Sequence, residues 1–272
     1  MIIISLVSCG QNSSEKSLNG RWYETENNGN SWMHFYPDSL IIKVDPFEKV
    51  EWKANNSKIE FDYPFLIRDS TGNLKRIPDK IIVHYKLSKN NDSLFGKLVN
   101  PFGEHQFGLL RANDYIEYLN KRYKIEFSLP QDNSIDIIKT DAIYGLKVFI
   151  GYSNNKVVGR TELSKNLNNL ESDFKTFIDS IKPTYRPEID MFKGVRFHLR
   201  VFADKTIADS TITNSLVGTI KDEISKTYDS FPKPPNDTLP IRIYRIYKSN
   251  EIESLGIMKG KRIKTIANIT YN

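Results

Sequence analysis

Ile81-Ile82-Val83-His84-Tyr85-Lys86-Leu87 decides the fold of the first half of this chain. Ile81, Val83 and Tyr85 alternate with Ile82, His84 and Lys86, which is the period-two pattern of a strand with one face turned to a core. The signature recurs on both sides. Runs at 21–25, 31–36, 39–44, 47–54, 57–62, 81–87, 93–99 and 105–111 are rich in aromatic and β-branched residues, and Leu40, Ile42 and Val44 alternate again, as do Val50 and Trp52. Between them stand Asn27-Asn28-Gly29-Asn30, Asn55-Asn56, Asn90-Asn91-Asp92 and Asn100-Pro101-Phe102-Gly103, residues that tolerate positive φ or preset a turn. The pattern predicts an eight-stranded antiparallel meander over residues 18–113. A flat sheet of that size leaves two bare edges, and closure into a barrel removes them.

Within that meander, Asn19-Gly20-Arg21-Trp22 matches the opening G-x-W of lipocalin-like domains. Phe107-Gly108-Leu109-Leu110-Arg111 resembles their closing strand, whose basic residue covers the tryptophan. The resemblance covers about a third of the chain and implies a small lipocalin-like barrel closed by Gly20, Trp22 and Arg111. Such a barrel is either packed solid or holds one small ligand. In the hollow form Trp32, Tyr36, Trp52, Phe61, Tyr85 and Phe95 line a pocket for a hydrophobic molecule. In the filled form the same rings are core, and their bulk in so short a barrel favours filling. Tyr63–Lys80 reads as a long connection that is unusually apolar, with Phe65, Leu66, Ile67, Leu74 and Ile77 between Pro64 and Pro78. A lid over a barrel mouth, a partner-docking surface or an extra packed turn would each account for it.

Asn113–Lys124 reads as a short linking helix, giving a division into 1–17 (signal and tether), 18–113 (barrel), 114–124 (linker) and 125–272 (mixed α/β domain). In the last segment Ile125–Leu129, Gly145–Tyr152, Val157-Val158, Val195–Ala203, Ile241–Tyr247 and Arg262–Tyr271 read as strands. Thr161–Ile181 carries Leu163, Leu167, Leu170, Phe174, Phe177, Ile178 and Ile181 on one helical face, with Thr161 as N-cap and Pro183 after the stop. A second helix, capped by Asp209 or Ser210, repeats Ile212, Leu216, Ile220 and Ile224. The expected fold class is therefore all-β plus α+β, with two main helices on one face of a mixed sheet. Phe197-His198-Leu199-Arg200-Val201-Phe202-Ala203-Asp204 running into a helix resembles the periplasmic domain of the ExbD/TolR biopolymer-transport family, over about residues 145–248. That resemblance implies a scaffold that binds a partner or peptidoglycan. The membrane helix and proton-coupling aspartate of the family are absent, so no motor function is implied.

Composition narrows the compartment. The chain has 272 residues, a net charge of +6 and one cysteine, too few thiols for an internal disulfide or a cysteine zinc site. That cysteine, Cys9, ends the apolar run Met1–Val7 and precedes a polar stretch. Seven residues are too few to span a bilayer but suffice for a signal segment. Leu6-Val7-Ser8-Cys9 looks like the lipobox of bacterial lipoproteins, which implies lipidation at Cys9, removal of residues 1–8 and a soluble remainder facing an envelope compartment.

Local catalytic signatures are missing: there is no G-x-S-x-G elbow, phosphate-binding loop or G-x-G-x-x-G. His34, His84, His105 and His198 lack metal-ligand spacing, although the barrel interior could hold both His34 and His84. Lys259-Gly260-Lys261-Arg262 with Lys264, and Arg242, Arg245 and Lys248 interleaved with Tyr244 and Tyr247, form a basic aromatic strip that suits anionic lipid or glycan better than nucleic acid in this compartment. The expectation is a non-enzymatic, lipid-anchored envelope protein without cofactor or metal. It would bind a small hydrophobic ligand or an envelope protein or peptidoglycan partner. The competing class is an envelope hydrolase housed in the α/β half.

Overall fold

In the computed structural model the described residues are 11–26, 32–43, 48–68, 71–100, 103–132, 137–138, 145–163, 170–181, 183, 197–227, 241–248 and 258–266. Cys9 and its flanks, the Asn27-Asn28-Gly29-Asn30 turn and Leu167 lie outside them. The chain divides into two compact units, Met1–Arg122 and Tyr123–Asn272.

The first unit opens with helix α1 (Ser13–Leu18), started by a reciprocal capping box. Asn12 accepts from the Glu15 amide, and the Glu15 carboxylate accepts from the Asn12 amide. Nine strands follow: β1 (Gly20–Glu24), β2 (Trp32–Phe35), β3 (Leu40–Lys43), β4 (Glu48–Val50), β5 (Trp52–Ala54), β6 (Lys58–Arg68), β7 (Leu74–Leu87), β8 (Ser93–Asn100) and β9 (Gly103–Arg111). All pairings are antiparallel, in the spatial order β4-β3-β2-β1-β9-β8-β7-β6-β5. The sheet is barrel-like and nearly closed.

Nine strands stand where eight were expected because the run 47–54 breaks at exposed Glu51. Its first half pairs with β3 (Leu40 opposite Val50) and its second with β6 (Trp52 opposite Phe61). One extended segment thus serves both free edges of the sheet, changing partner at the break. Across this seam Arg76 on β7 pairs with Glu48 on β4 at 2.9 Å.

The expected apolar loop at Tyr63–Lys80 is a correction of substance. Strands β6 and β7 continue through it as a two-stranded arm, Tyr63 opposite Asp79, Phe65 opposite Ile77 and Arg68 opposite Leu74. Pro64 and Pro78, which look like loop punctuation, face each other directly. Two residues without N–H groups can oppose one another only at a non-hydrogen-bonded pair, and among the described residues the arm has no ladder partner beyond Trp52 and Val99 whose bonds they would forfeit.

One contiguous core fills the inward side, with Trp22, Phe35, Leu40, Ile42, Ile59, Phe61, Ile81, Val83, Tyr85, Leu94 and Leu109 among its members. After β9, helix α2 (Tyr115–Tyr123) is started by Asp114, whose carboxylate accepts from the Glu117 amide at 2.8 Å. Tyr118 is fully buried, stacks on outward-facing Tyr23 at 5.1 Å and donates its hydroxyl to the Glu24 carbonyl. Burial pushes the Tyr118 phenol well above its ordinary value.

The second unit is a mixed sheet in the order β10-β15-β14-β13-β11-β12, built from β10 (Ile137–Ile138), β11 (Gly145–Ser153), β12 (Lys156–Thr161), β13 (Phe197–Ala203), β14 (Ile241–Ile246) and β15 (Met258–Ile266). Strands β11, β13 and β14 are parallel neighbours, while the others pair antiparallel. Asn154 and Asn155, at φ 50 and 60, make the tight β11–β12 turn. Helices α3 (Leu170–Ile181) and α4 (Asp209–Thr227) both pack on one face: Phe174, Phe177, Ile178, Ile212 and Leu216 meet Leu146, Val148, Leu199, Val201, Ile241 and Ile243. The all-β plus α+β division is therefore present.

Three local expectations change. Thr161 is no helix cap; it ends β12 and donates to Asp173 of α3 at 2.8 Å. Ile125–Leu129 is no ladder strand but a covering segment. It touches the sheet through one bridge, Glu126 to Tyr152, while Ile125, Phe127 and Leu129 are buried. Arg245 leaves the exposed basic strip, because it lies on the helix-packed side, buried, with its guanidinium on Asp209 at 2.6 Å.

Candidate functional site

Chain direction assigns the two ends of the barrel-like sheet. Helix α1 sits where β5 and β9 finish: the Asn12 side chain donates to the Ala54 carbonyl at 2.8 Å, and Ser14 donates to Asn56 at 2.7 Å. Trp22 is completely buried there, and its indole N–H donates to the Leu18 carbonyl at 2.7 Å. The Arg111 guanidinium lies over that indole at 4.4 Å and donates to the Ser17 carbonyl. Burial lowers the Arg111 pKa. Gly20, at φ +118, starts β1 directly after the helix in a conformation that favours glycine. Gly20, Trp22 and Arg111 thus meet α1 at one end.

Toward the opposite end the inward side chains are only half-buried. Tyr63, Phe65, Leu98 and Phe107 pack against the core there, with the Tyr63 and Phe65 rings edge-to-face at 5.1 Å. Burial raises the Tyr63 phenol, and the nearby Glu48 carboxylate adds to the rise. Phe107 reaches across the sheet over Gly96, where a Cβ would stand 2.5 Å from its ring. These residues were absent from the expected ligand-lining set. Their signal was available in the i, i+2 recurrence of Phe61, Tyr63 and Phe65, which the two prolines obscured.

The six expected lining rings divide. Trp52, Phe61 and Tyr85 belong to the inward core, with Trp52 opposite Phe61 and edge-on to Phe35 at 4.8 Å. Their polar atoms are spoken for: the Trp52 indole donates to the Tyr36 carbonyl and the Tyr85 hydroxyl to the Asn55 carbonyl. Trp32, Tyr36 and Phe95 face outward. Trp32 is the register partner of outward Tyr23 and lies under the Arg21 guanidinium at 4.9 Å. Tyr36 stacks on His34 at 3.9 Å, and Phe95 is 65% exposed. A one-residue change of face suffices for each, because a strand sends successive side chains to opposite sides. His34 and His84 do not share the barrel interior: His34 opposes outward Arg21, and His84 is exposed.

Two grooves flank the sheet. One, of about 440 Å³, lies at the seam beside Glu51, Trp52, Lys53, Glu60, Phe61, Asp62 and Lys80. Glu60 there is clasped by Lys58 and, at 3.0 Å, by Lys80, and these hydrogen bonds hold its carboxyl down at about 2. The other, of about 560 Å³, runs beside Phe95 on the outer face of β7, β8 and β9.

In the second unit the Ala203-Asp204 step forms a node. The Asp204 carboxylate accepts from the amides of Ser128 and Thr206 and from the Thr206 hydroxyl, which together depress its pKa, while its carbonyl accepts from Arg245. These contacts are structural: they pin the covering segment, the β13–α4 turn and β14 together.

Among the described residues no helix is long and apolar enough to cross a membrane, and no group of three or more His, Cys, Asp or Glu side chains is placed to hold a metal. The fold and its inward end define a two-unit β-barrel-like and α+β protein. No family model, curated protein or solved structure matches the chain.

Proposed function

We propose that this chain is a lipid-anchored cell-envelope protein without enzymatic activity, whose lipocalin-like barrel takes a small hydrophobic ligand at the end opposite α1. The observation that carries the reading is the contrast between the two ends. One is stoppered by α1, Trp22 and Arg111, and the other presents half-buried Tyr63, Phe65, Leu98 and Phe107. Large aromatic side chains already occupy the middle of the sheet, so the ligand lies at the mouth and not along the axis. Small-molecule sites are mostly apolar with few polar groups, and the Glu48–Arg76 pair beside Tyr63 supplies the polar edge. Anchoring rests on Leu6-Val7-Ser8-Cys9.

Native mass spectrometry of the chain purified from its own envelope tests the ligand. A discrete added mass, lost on denaturation and lost in Phe65→Ser, is expected; a bare mass in both refutes it. Labelled palmitate should enter the wild-type chain and not Cys9→Ala, which should leave the membrane fraction. Unlabelled wild type refutes the anchor. A second reading, binding of peptidoglycan or an envelope protein by the mixed-sheet unit, is favoured by Arg242 and exposed Arg262, which lie on strands β14 and β15 away from the helices. Co-sedimentation with isolated sacculi distinguishes it.

A further inference from the structure

Phe95 is the most exposed large hydrophobic side chain among the described residues, at 65%. It does not stand alone. Its register partner on β7 is Lys86, and its partner on β9 is Gly108, which has no side chain to cover the ring. Gly108 is also kept small, since a Cβ there would stand 2.8 Å from the Thr25 hydroxyl. Exposed His84 and half-exposed Lys97 complete the surround, with Gln106, in the same open groove of about 560 Å³. Lys86 has no ion-pair partner among the described residues, whereas Lys97 shares its charge with exposed Glu104 at 2.6 Å. Glu26 is the acid among the residues that line the groove. On the adjoining outer face of β5, β6 and β7, Lys53, Lys58 and Lys80 surround Glu60, and Glu51 and Asp62 stand beside them, so that face balances its own charge.

The position of this patch gives it a partner. Ser57 and Tyr85 line the groove, and the Tyr85 amide donates to the Ser57 carbonyl at 2.9 Å. Ser57 follows Asn56, which holds Ser14 of α1. The groove therefore begins at the end of the sheet to which α1 is fastened. Only Gly10 and Gln11 separate Cys9 from Asn12, the cap of α1, and the three residue steps span at most about 10 Å. A chain anchored through Cys9 carries this end of the barrel against the bilayer.

We propose that the outer face of β7, β8 and β9 around Phe95 docks onto an anionic phospholipid surface, with the phenyl ring in the interfacial layer and Lys86, Lys97 and His84 over the headgroups. The proposal deepens the anchored reading and rests on it for orientation: acyl chains supply attachment, and the patch fixes how the barrel lies. An exposed aromatic ring with Lys86 and Lys97 beside it suits that environment, where each lysine near an anionic surface is worth roughly a fivefold factor in partitioning.

The test uses the full-length Cys9→Ala chain, which carries no acyl group, with phosphatidylcholine vesicles and with phosphatidylcholine–phosphatidylglycerol vesicles. It should co-sediment with the anionic vesicles only, and less as salt rises. Phe95→Ser should weaken that partitioning by roughly tenfold and Lys86→Gln by roughly fivefold, both at exposed positions that leave the fold intact by circular dichroism. Absence of anionic-vesicle binding, or binding unchanged in both variants, overturns the proposal. So does a dimer in sedimentation that Phe95→Ser dissolves, because the face would then belong to a second copy. Failure of palmitate labelling in the wild type sinks the anchor alone and is read in a separate assay.

Discussion

Removing the Trp22 ring puts the barrel's closure to its sharpest test. All three tryptophans, Trp22, Trp32 and Trp52, lie in the first unit, so tryptophan fluorescence follows that unit's unfolding without interference from the second. Trp22 is completely buried, and truncating such a ring to alanine costs about 3–5 kcal/mol. The Leu18 carbonyl also loses its indole donor, about 1 kcal/mol more. Trp22→Ala should therefore destabilise the barrel by about 4–6 kcal/mol, read from guanidinium denaturation through Trp32 and Trp52. Arg111→Ala should be milder, because its side chain is only half-buried, yet the two losses should not add. Stacked at 4.4 Å, the pair should couple by about 1 kcal/mol in a double-mutant cycle. A Trp22→Ala loss below about 1 kcal/mol would place the ring outside the core. Strict additivity would mean that Arg111 does not recognise the indole.

Three further outcomes follow from the same geometry. Gly96→Ala should cost about 1–3 kcal/mol, since the new methyl meets the Phe107 ring at 2.5 Å, and Phe107→Leu should recover part of it; a neutral Gly96→Ala denies that packing. The folded Glu60 carboxyl lies near 2 against an ordinary 4.5, so its stabilising effect is complete above about pH 4.5 and is lost as pH falls toward 2. Glu60→Gln should flatten the barrel's acid sensitivity in that window, measured by fluorescence-detected denaturation at a series of pH values, and an unchanged slope counts against the lysine clasp. Asp204→Ala should lower the second unit's calorimetric transition by about 2–4 kcal/mol while leaving the tryptophan-detected transition in place, with Asp204→Asn intermediate. A shift of the tryptophan signal instead would show that Asp204 supports the wrong unit.

The resemblance to lipocalin-like domains drew attention to Trp22 and Arg111 from two short motifs eighty-nine positions apart, and their contact in space follows from antiparallel register, Trp22 opposite Arg111. The ligand-lining set was less legible. Aromatic residues are enriched in strands whichever side they face, so composition selected Trp32, Tyr36 and Phe95 as readily as Trp52 and Phe61. Only a fixed register says which alternate residues turn inward. The mouth was hidden for a related reason: Pro64 and Pro78 are punctuation in a central strand but harmless in an arm whose outer sides pair with no further strand among the described residues.

Period-two alternation, turn residues and helical spacing by themselves determined an antiparallel β half, a mixed α/β half and helices that share one sheet face, because these signals are local and each residue carries its part of them. Tertiary structure alone decided that Glu51 divides one strand between two edges, that Asp204 is a structural node, that Arg245 is buried on Asp209 and that Phe95 stands in the open. Those outcomes depend on which distant backbone supplies the partner. A chain read one residue at a time does not contain that choice until the sheet has closed.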